Sequence, residues 1–138
     1  MQMLQKMKNQ EHERAKYAFE RVKRVATSVT DTDADRKKYR SAALSAGIMV
    51  HTSGLLPSMA FYLDKLSKPE NTGHKCLFED IACRLGVPVG TPSLQAYNEL
   101  LGLDNITLMK KTQEAIALLI WIKRFAEAMI TKDGTALE

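Results

Sequence analysis

The stretch HTSGLLPSMAF (residues 51–61) places Gly54 three residues before Pro57 in a chain whose other segments carry helical spacing. Ser53 stands where a helix N-cap would. The residues after it then fall in a first turn, where backbone N–H groups have no intrahelical partner and a proline removes no hydrogen bond. The stretch therefore reads as a helix start, with Leu55, Leu56, Met59, Ala60, Leu63 and Leu66 directed inward.

Working outward, Gly47 reads as the end of a helix over residues 34–46, and Ile48-Met49-Val50 as a short apolar link. Upstream, TSVTDTD (residues 27–33) collects β-branched and short polar residues that favour turns, with Asp31 or Asp33 as the cap. A long first helix over residues 4–29 is marked by Leu4, Met7, Ala15, Ala18, Val22, Val25 and Val29. Downstream, residues 67–73 form a polar loop, and a helix over 74–85 stops at Gly86. The connector GVPVGTP (residues 86–92) supplies Thr91 as a cap and Pro92 as the first residue of a helix that Gly102 ends.

Asp104 or Asn105 caps a last helix that runs to about residue 131. Leu118, Ile120, Trp121 and Phe125 widen its apolar stripe nearly around the cylinder, so it belongs at the centre of a bundle or against a partner. No alternating run of strand length occurs. The expectation is an all-α fold: one domain over residues 1–138, a bundle of about six helices with long first and last members.

The bulk numbers agree with one packed core. A chain of 138 residues buries about 68% of its unfolded surface without a disulfide or metal staple. The longest apolar run, residues 115–122, is short of the roughly 20 residues that cross a bilayer, and the first ten residues have no apolar core of a secretory signal. A cytoplasmic protein with reduced Cys76 and Cys83 is expected, and Asn105-Ile106-Thr107 is then no glycosylation site. The net charge of +4 permits nucleic-acid binding without demanding it.

Three chemical motifs fail on inspection. Asp31-x-Asp33-x-Asp35 begins like a calcium loop, but Arg36 occupies the glycine position and Ala42 the position of the bidentate glutamate. His74, Cys76 and Cys83 lack a CxxC pair or second histidine to complete a zinc site. The connector has no lysine of a phosphate-binding loop and no strand before it. No catalytic residue, metal site or cofactor is expected, since no serine, cysteine or histidine sits in an activating motif.

The basic residues carry more. On the first helix Arg14, Tyr17, Arg21, Arg24 and Ser28 form one stripe at about 100° per residue. Glu11 can serve Arg14 and Glu20 can serve Arg24, Lys16 and Lys23 as solvated pairs. Arg21 has no acid among its helical neighbours, and neither has Arg40 in RKKYR (residues 36–40), which also contains Lys37 and Lys38. Lys123 and Arg124 share Glu127 alone. Guanidinium groups without a local acid can fork onto phosphate, and Tyr17 or Tyr39 can stack on a base.

Three stretches in order, RAKYAFERVKRVA (residues 14–26), KKYRSAALSAGIMVHTSGLLPSMAFYLDK (residues 37–65) and TQEAIALLIWIKRFAEA (residues 112–128), resemble the small helical subunit of the Cmr complex, the type III-B CRISPR effector that targets RNA. The resemblance implies a non-catalytic protein that stacks beside copies of itself along the complex and helps hold paired guide and target RNA while other subunits cut. Expected partners are therefore the other Cmr subunits, guide and target RNA, and further copies of the chain. The expected RNA contacts are Arg14, Arg21, Arg24, Lys37, Lys38 and Arg40, with Lys123 and Arg124 in reserve. No role is carried onto residues 67–105.

Two rival classes are a DNA-binding regulator and a helical protein-binding adaptor. The regulator is disfavoured because residues 47–53 exceed a helix-turn-helix turn and the following helix offers Lys65 alone as a basic group to base edges. The adaptor rests on the wide apolar face of the last helix.

Overall fold

The structure is a computed structural model in which residues 2–136 are described. Six α-helices occur among them: α1 (Gln2–Thr27), α2 (Asp33–Ser53), α3 (Leu55–Lys65), α4 (Thr72–Arg84), α5 (Ser93–Leu101) and α6 (Asn105–Met129), with one 3₁₀ turn at Pro69–Asn71 before α4. The all-α expectation holds, and the described residues contain no strand beyond an isolated bridge between Ile130 and Ala136. Among the described residues, no helix is long and apolar enough to cross a membrane.

The break at residues 51–61 resolves differently from the sequence reading. Gly47 does not end α2. The apolar spacing Ala43, Ala46, Val50 continues through it, all three buried, and the tertiary gain outweighs the roughly 1 kcal/mol that glycine costs in a helix. Ser53 is the last residue of α2, and Gly54 serves both helices. Its φ of 90° turns the chain, and its N–H donates to Val50 O. This conformation suits glycine because it has no Cβ. Pro57 lies in the first turn of α3, as expected.

Smaller shifts have local causes. Thr32, rather than Asp31 or Asp33, caps α2: its side chain accepts from Asp35 N–H, and Asp35 accepts from Thr32 N–H in a reciprocal box. Pro92 is the N-cap of α5 rather than its first residue, and Thr91 turns instead to donate to Pro88 O. Of the two caps the sequence offers for α6, Asp104 is the one used. The last helix stops at Met129 because Ile130 becomes extended and joins a small C-terminal loop.

Helix α2 is the centre of the bundle, in contact with α6, α4, α3 and α1. Helix α6, which the sequence placed at the centre or against a partner, packs on α2 and α1. Leu118, Leu119, Ile122 and Ala126 are buried within it, while Trp121 and Phe125 are half-buried and Phe125 meets Phe19 of α1 edge-on at 5.5 Å. Ile120 remains 55% exposed, so the wide stripe is not wholly covered. Helix α4 also packs on α2. Their approach is close at Gly73, where a Cβ would stand 2.5 Å from Tyr39 N and Asp35 O. The first half of α1, residues 2–13, is exposed throughout.

Candidate nucleic-acid interface

Asp80 organises the basic stripe of α1. It lies on the stripe Gly73, Leu77, Asp80, Arg84 of α4, at helical spacing of three and four, and is fully buried. Arg21 Nε donates to its Oδ1 at 2.6 Å and Arg24 Nη2 to the same oxygen at 3.2 Å. Tyr39 of α2 donates to Oδ2 at 2.8 Å, and Tyr17 donates to the Asp80 carbonyl at 2.6 Å. Three helices thus converge on one residue.

The electrostatics follow from burial. Desolvation raises the Asp80 carboxyl above its ordinary value, while Arg21, Tyr39 and Arg24 pull it back. Burial acts to lower Arg21, but the facing carboxylate more than offsets it and the guanidinium ends above its usual value. Burial carries Tyr17 up to about 12 and Tyr39 well above the phenolic range, so both hydroxyls stay protonated donors. A buried charge is tolerated when paired and hydrogen-bonded, and Asp80 has both.

A second ionic group lies further along α1. Arg14 Nε donates to Glu114 Oε2 of α6 at 2.7 Å and Nη2 to Oε1 at 2.9 Å, a two-pronged pair, while Arg84 Nε reaches Oε2 at 3.2 Å. The hydrogen bond from Arg14 is the largest influence holding Glu114 below its ordinary carboxyl value. Glu11 also accepts from Arg14, as the spacing predicts.

The α2 residues divide. Lys38 Nζ donates to Glu70 O at 2.7 Å and to Asn71 Oδ1, whereas Arg40 Nε donates to Ile130 O at 2.9 Å. These partners lie on opposite flanks of α2. Lys37, Lys123 and Arg124 are exposed and make no side-chain hydrogen bond or ion pair among the described residues. Of the eight sequence-selected residues, Arg21 and Arg24 are brought together, Arg14 stands apart at Glu114, and the other five do not form one cluster.

Sequence reasoning missed Asp80, Glu114 and Arg84, because their partners are distant in the chain. A signal did exist: Asp80 stands among the apolar residues Leu77, Phe78, Ile81 and Ala82, and Arg21 lacks a local acid. Arg36 was also passed over. It donates to Gly134 O at 2.7 Å and Asp31 O at 2.9 Å, fastening the C-terminal loop to the start of α2.

Beside the Asp80 cluster is a cleft of about 480 Å³, walled by Arg21, Arg24, Lys75, Phe78, Glu79 and the connector at residues 87–92. A smaller apolar groove of about 240 Å³ lies between α2 and α6, lined by Leu44, Ile48, Ile116, Ile120 and Lys123. No three His, Cys, Asp or Glu side chains among the described residues are grouped to hold a metal. Cys76 and Cys83 are half-buried free thiols, and burial lifts Cys76 to about 11.

Comparison with known proteins places this architecture. A curated relative, "CRISPR system Cmr subunit Cmr5" of Thermus thermophilus, is 31% identical over 116 residues, spanning 84% of this chain and 91% of that protein. The crystal structure of a CRISPR-associated Cmr5 family protein, also from Thermus thermophilus, superposes with a TM-score of 0.68 at 26% identity, covering 86% of this chain and 95% of the other. The family model described as CRISPR-associated protein (Cas_Cmr5) matches residues 10–129, which include all three resembling stretches, and the chain belongs to that family.

Proposed function

We propose that this chain is a non-catalytic small subunit of a cytoplasmic type III-B CRISPR (Cmr) effector, stacking along the complex and helping to bind guide and target RNA in antiviral defence. The observation that carries the reading is the family match over residues 10–129. Its relative's name places that protein within a Cmr system, and the present chain takes the corresponding place. Cutting is left to other subunits, and no cofactor is required of this one.

The surface supports two kinds of contact. Lys37, Lys123 and Arg124 offer to phosphate exposed cations that are unpaired among the described residues. Met3, Leu4 and Met7, 77%, 56% and 59% exposed on the outstanding end of α1, offer apolar area to neighbouring subunits or a further copy. That outstanding helix also favours the protein-binding adaptor as the second reading. Arg14, Arg21, Arg24, Lys38 and Arg40 keep their place as proposed RNA contacts only through edges that their internal partners leave free.

Affinity purification of the tagged chain from its native cells tests the reading, with mass spectrometry and RNA sequencing of what accompanies it. Larger effector subunits with short RNAs bearing repeat-derived ends are expected. Recovery with protein partners but no RNA under gentle salt would overturn the RNA role in favour of the adaptor.

A further inference from the structure

The cleft beside Asp80 joins Arg21 and Arg24 of α1 to α4 and the connector, the segment to which the family resemblance carried no role. Of the two guanidinium groups, Asp80 engages only Nε of Arg21 and Nη2 of Arg24. Neither terminal nitrogen of Arg21, nor Nε or Nη1 of Arg24, has a partner among the described residues, yet both side chains line the cleft. The buried carboxylate thus holds each guanidinium by one nitrogen and leaves the others available. An anion meeting them would find Arg21 largely ordered in advance and Arg24 partly so, which lowers the cost of binding.

Three further features narrow the ligand. Lys75 is exposed on the same wall without a hydrogen bond or ion pair among the described residues, and Glu79 is the one acidic side chain in the lining. The first turn of α5 opens beside Ser93 with Pro92 as N-cap, which has no side-chain acceptor to satisfy the turn's N–H groups. The lining also carries apolar residues, with Val89 of the connector 83% exposed beside Pro88 and Pro92. Cationic donors and apolar surface in one cleft suit a phosphate carrying a sugar and base. A volume of about 480 Å³ falls in the small-ligand range of about 300–1,000 Å³, which fits a single nucleotide and is too small for a duplex.

We propose that the cleft formed by Arg21, Arg24, Lys75 and the connector at residues 87–92 binds one phosphodiester-linked nucleotide of a single-stranded RNA. This rests on the RNA-binding reading above and assigns that binding to a site. Arg21 and Arg24 contact the phosphate, Lys75 adds charge at the rim, and Asp80 acts as a positioning residue.

The test titrates the isotope-labelled full chain with a 12-residue oligouridylate, and separately with inorganic phosphate, following backbone amide signals. Saturable shifts at Gly90, Thr91 and Ser93 are expected with the RNA, at concentrations well below those needed for phosphate. Lys75→Glu should weaken binding several-fold and flatten the slope of log K against log salt by about 0.7, whereas Glu79→Gln should tighten it. Unchanged unfolding midpoints in both variants keep the comparison independent of folding.

Equal affinity for phosphate and RNA would overturn the strand proposal in favour of a free-anion site. RNA binding that ignores Lys75→Glu but falls with Lys123→Glu would overturn the cleft while leaving RNA binding intact. Absence of RNA binding would overturn both. Loss of a protein partner from the nuclease-treated complex with Lys75→Glu, with RNA affinity unchanged, would reassign the cleft to an acidic protein segment.

Discussion

Two sets of basic residues in this molecule are alike in composition and opposite in circumstance. Around Asp80, Arg21 and Arg24 join a fully buried carboxylate and two tyrosines across three helices. On the outer surface, Lys123 and Arg124 of α6 and Lys37 of α2 stand in solvent without partners among the described residues. The first set has a structural duty that any binding role must share, and the second has none. A cation's use is decided by what the tertiary fold brings to it, rather than by the acids adjacent in sequence.

The contrast is broken most directly by deleting the anchor. Asp80→Ala leaves Arg21, Arg24 and Tyr39 without their acceptor, and removing one member of a buried pair costs about 3–5 kcal/mol. Urea unfolding should show this as a lowered midpoint. A loss below about 1 kcal/mol would move Asp80 into the class of solvated surface charges.

Glu114 is intermediate, partly exposed yet held by Arg14 and Arg84. Glu114→Gln should cost about 1.5–3 kcal/mol at neutral pH, the worth of hydrogen bonds to a charged group. Its folded value is depressed below the ordinary 4.5, so below that value the unfolded state binds more protons. The stabilisation is complete above about pH 4.5 and disappears as pH falls through the folded value. The stability gap between the native chain and the variant should close over that acid range; a gap constant with pH would contradict the ion pairing.

The smallest stability effect belongs to the outer set. Lys123→Glu with Arg124→Glu should change unfolding free energy by no more than about 0.5 kcal/mol per site. The same pair should flatten the salt slope of RNA binding by about 0.7 for each phosphate that is no longer neutralised. Loss of stability without a change in slope would reverse the assignment.

Much of the fold was legible because helix formation is governed by local spacing and turn chemistry. All six helices appear, and the Asp104 cap and the first-turn Pro57 stand where the pattern put them. Gly47 misled because its helical position is sustained by α6, whose Leu119 Cβ lies 3.7 Å from where a Gly47 Cβ would be. The same limit applies to the candidate interface. Arg14–Glu11 is three residues apart and was readable, whereas Arg21–Asp80 spans 59 residues. Arg40 looked free for the same reason, since its acceptor is the Ile130 carbonyl beyond the end of α6.

Arg21 and Asp80 act as one unit within the fold. A double-mutant cycle with Arg21→Met, Asp80→Ala and the double variant, read by urea unfolding, tests it. The account predicts a coupling of about 1–3 kcal/mol, the double variant losing less than the two single losses combined. Single losses that add to within about 0.3–0.5 kcal/mol would show two independent charges and contradict it.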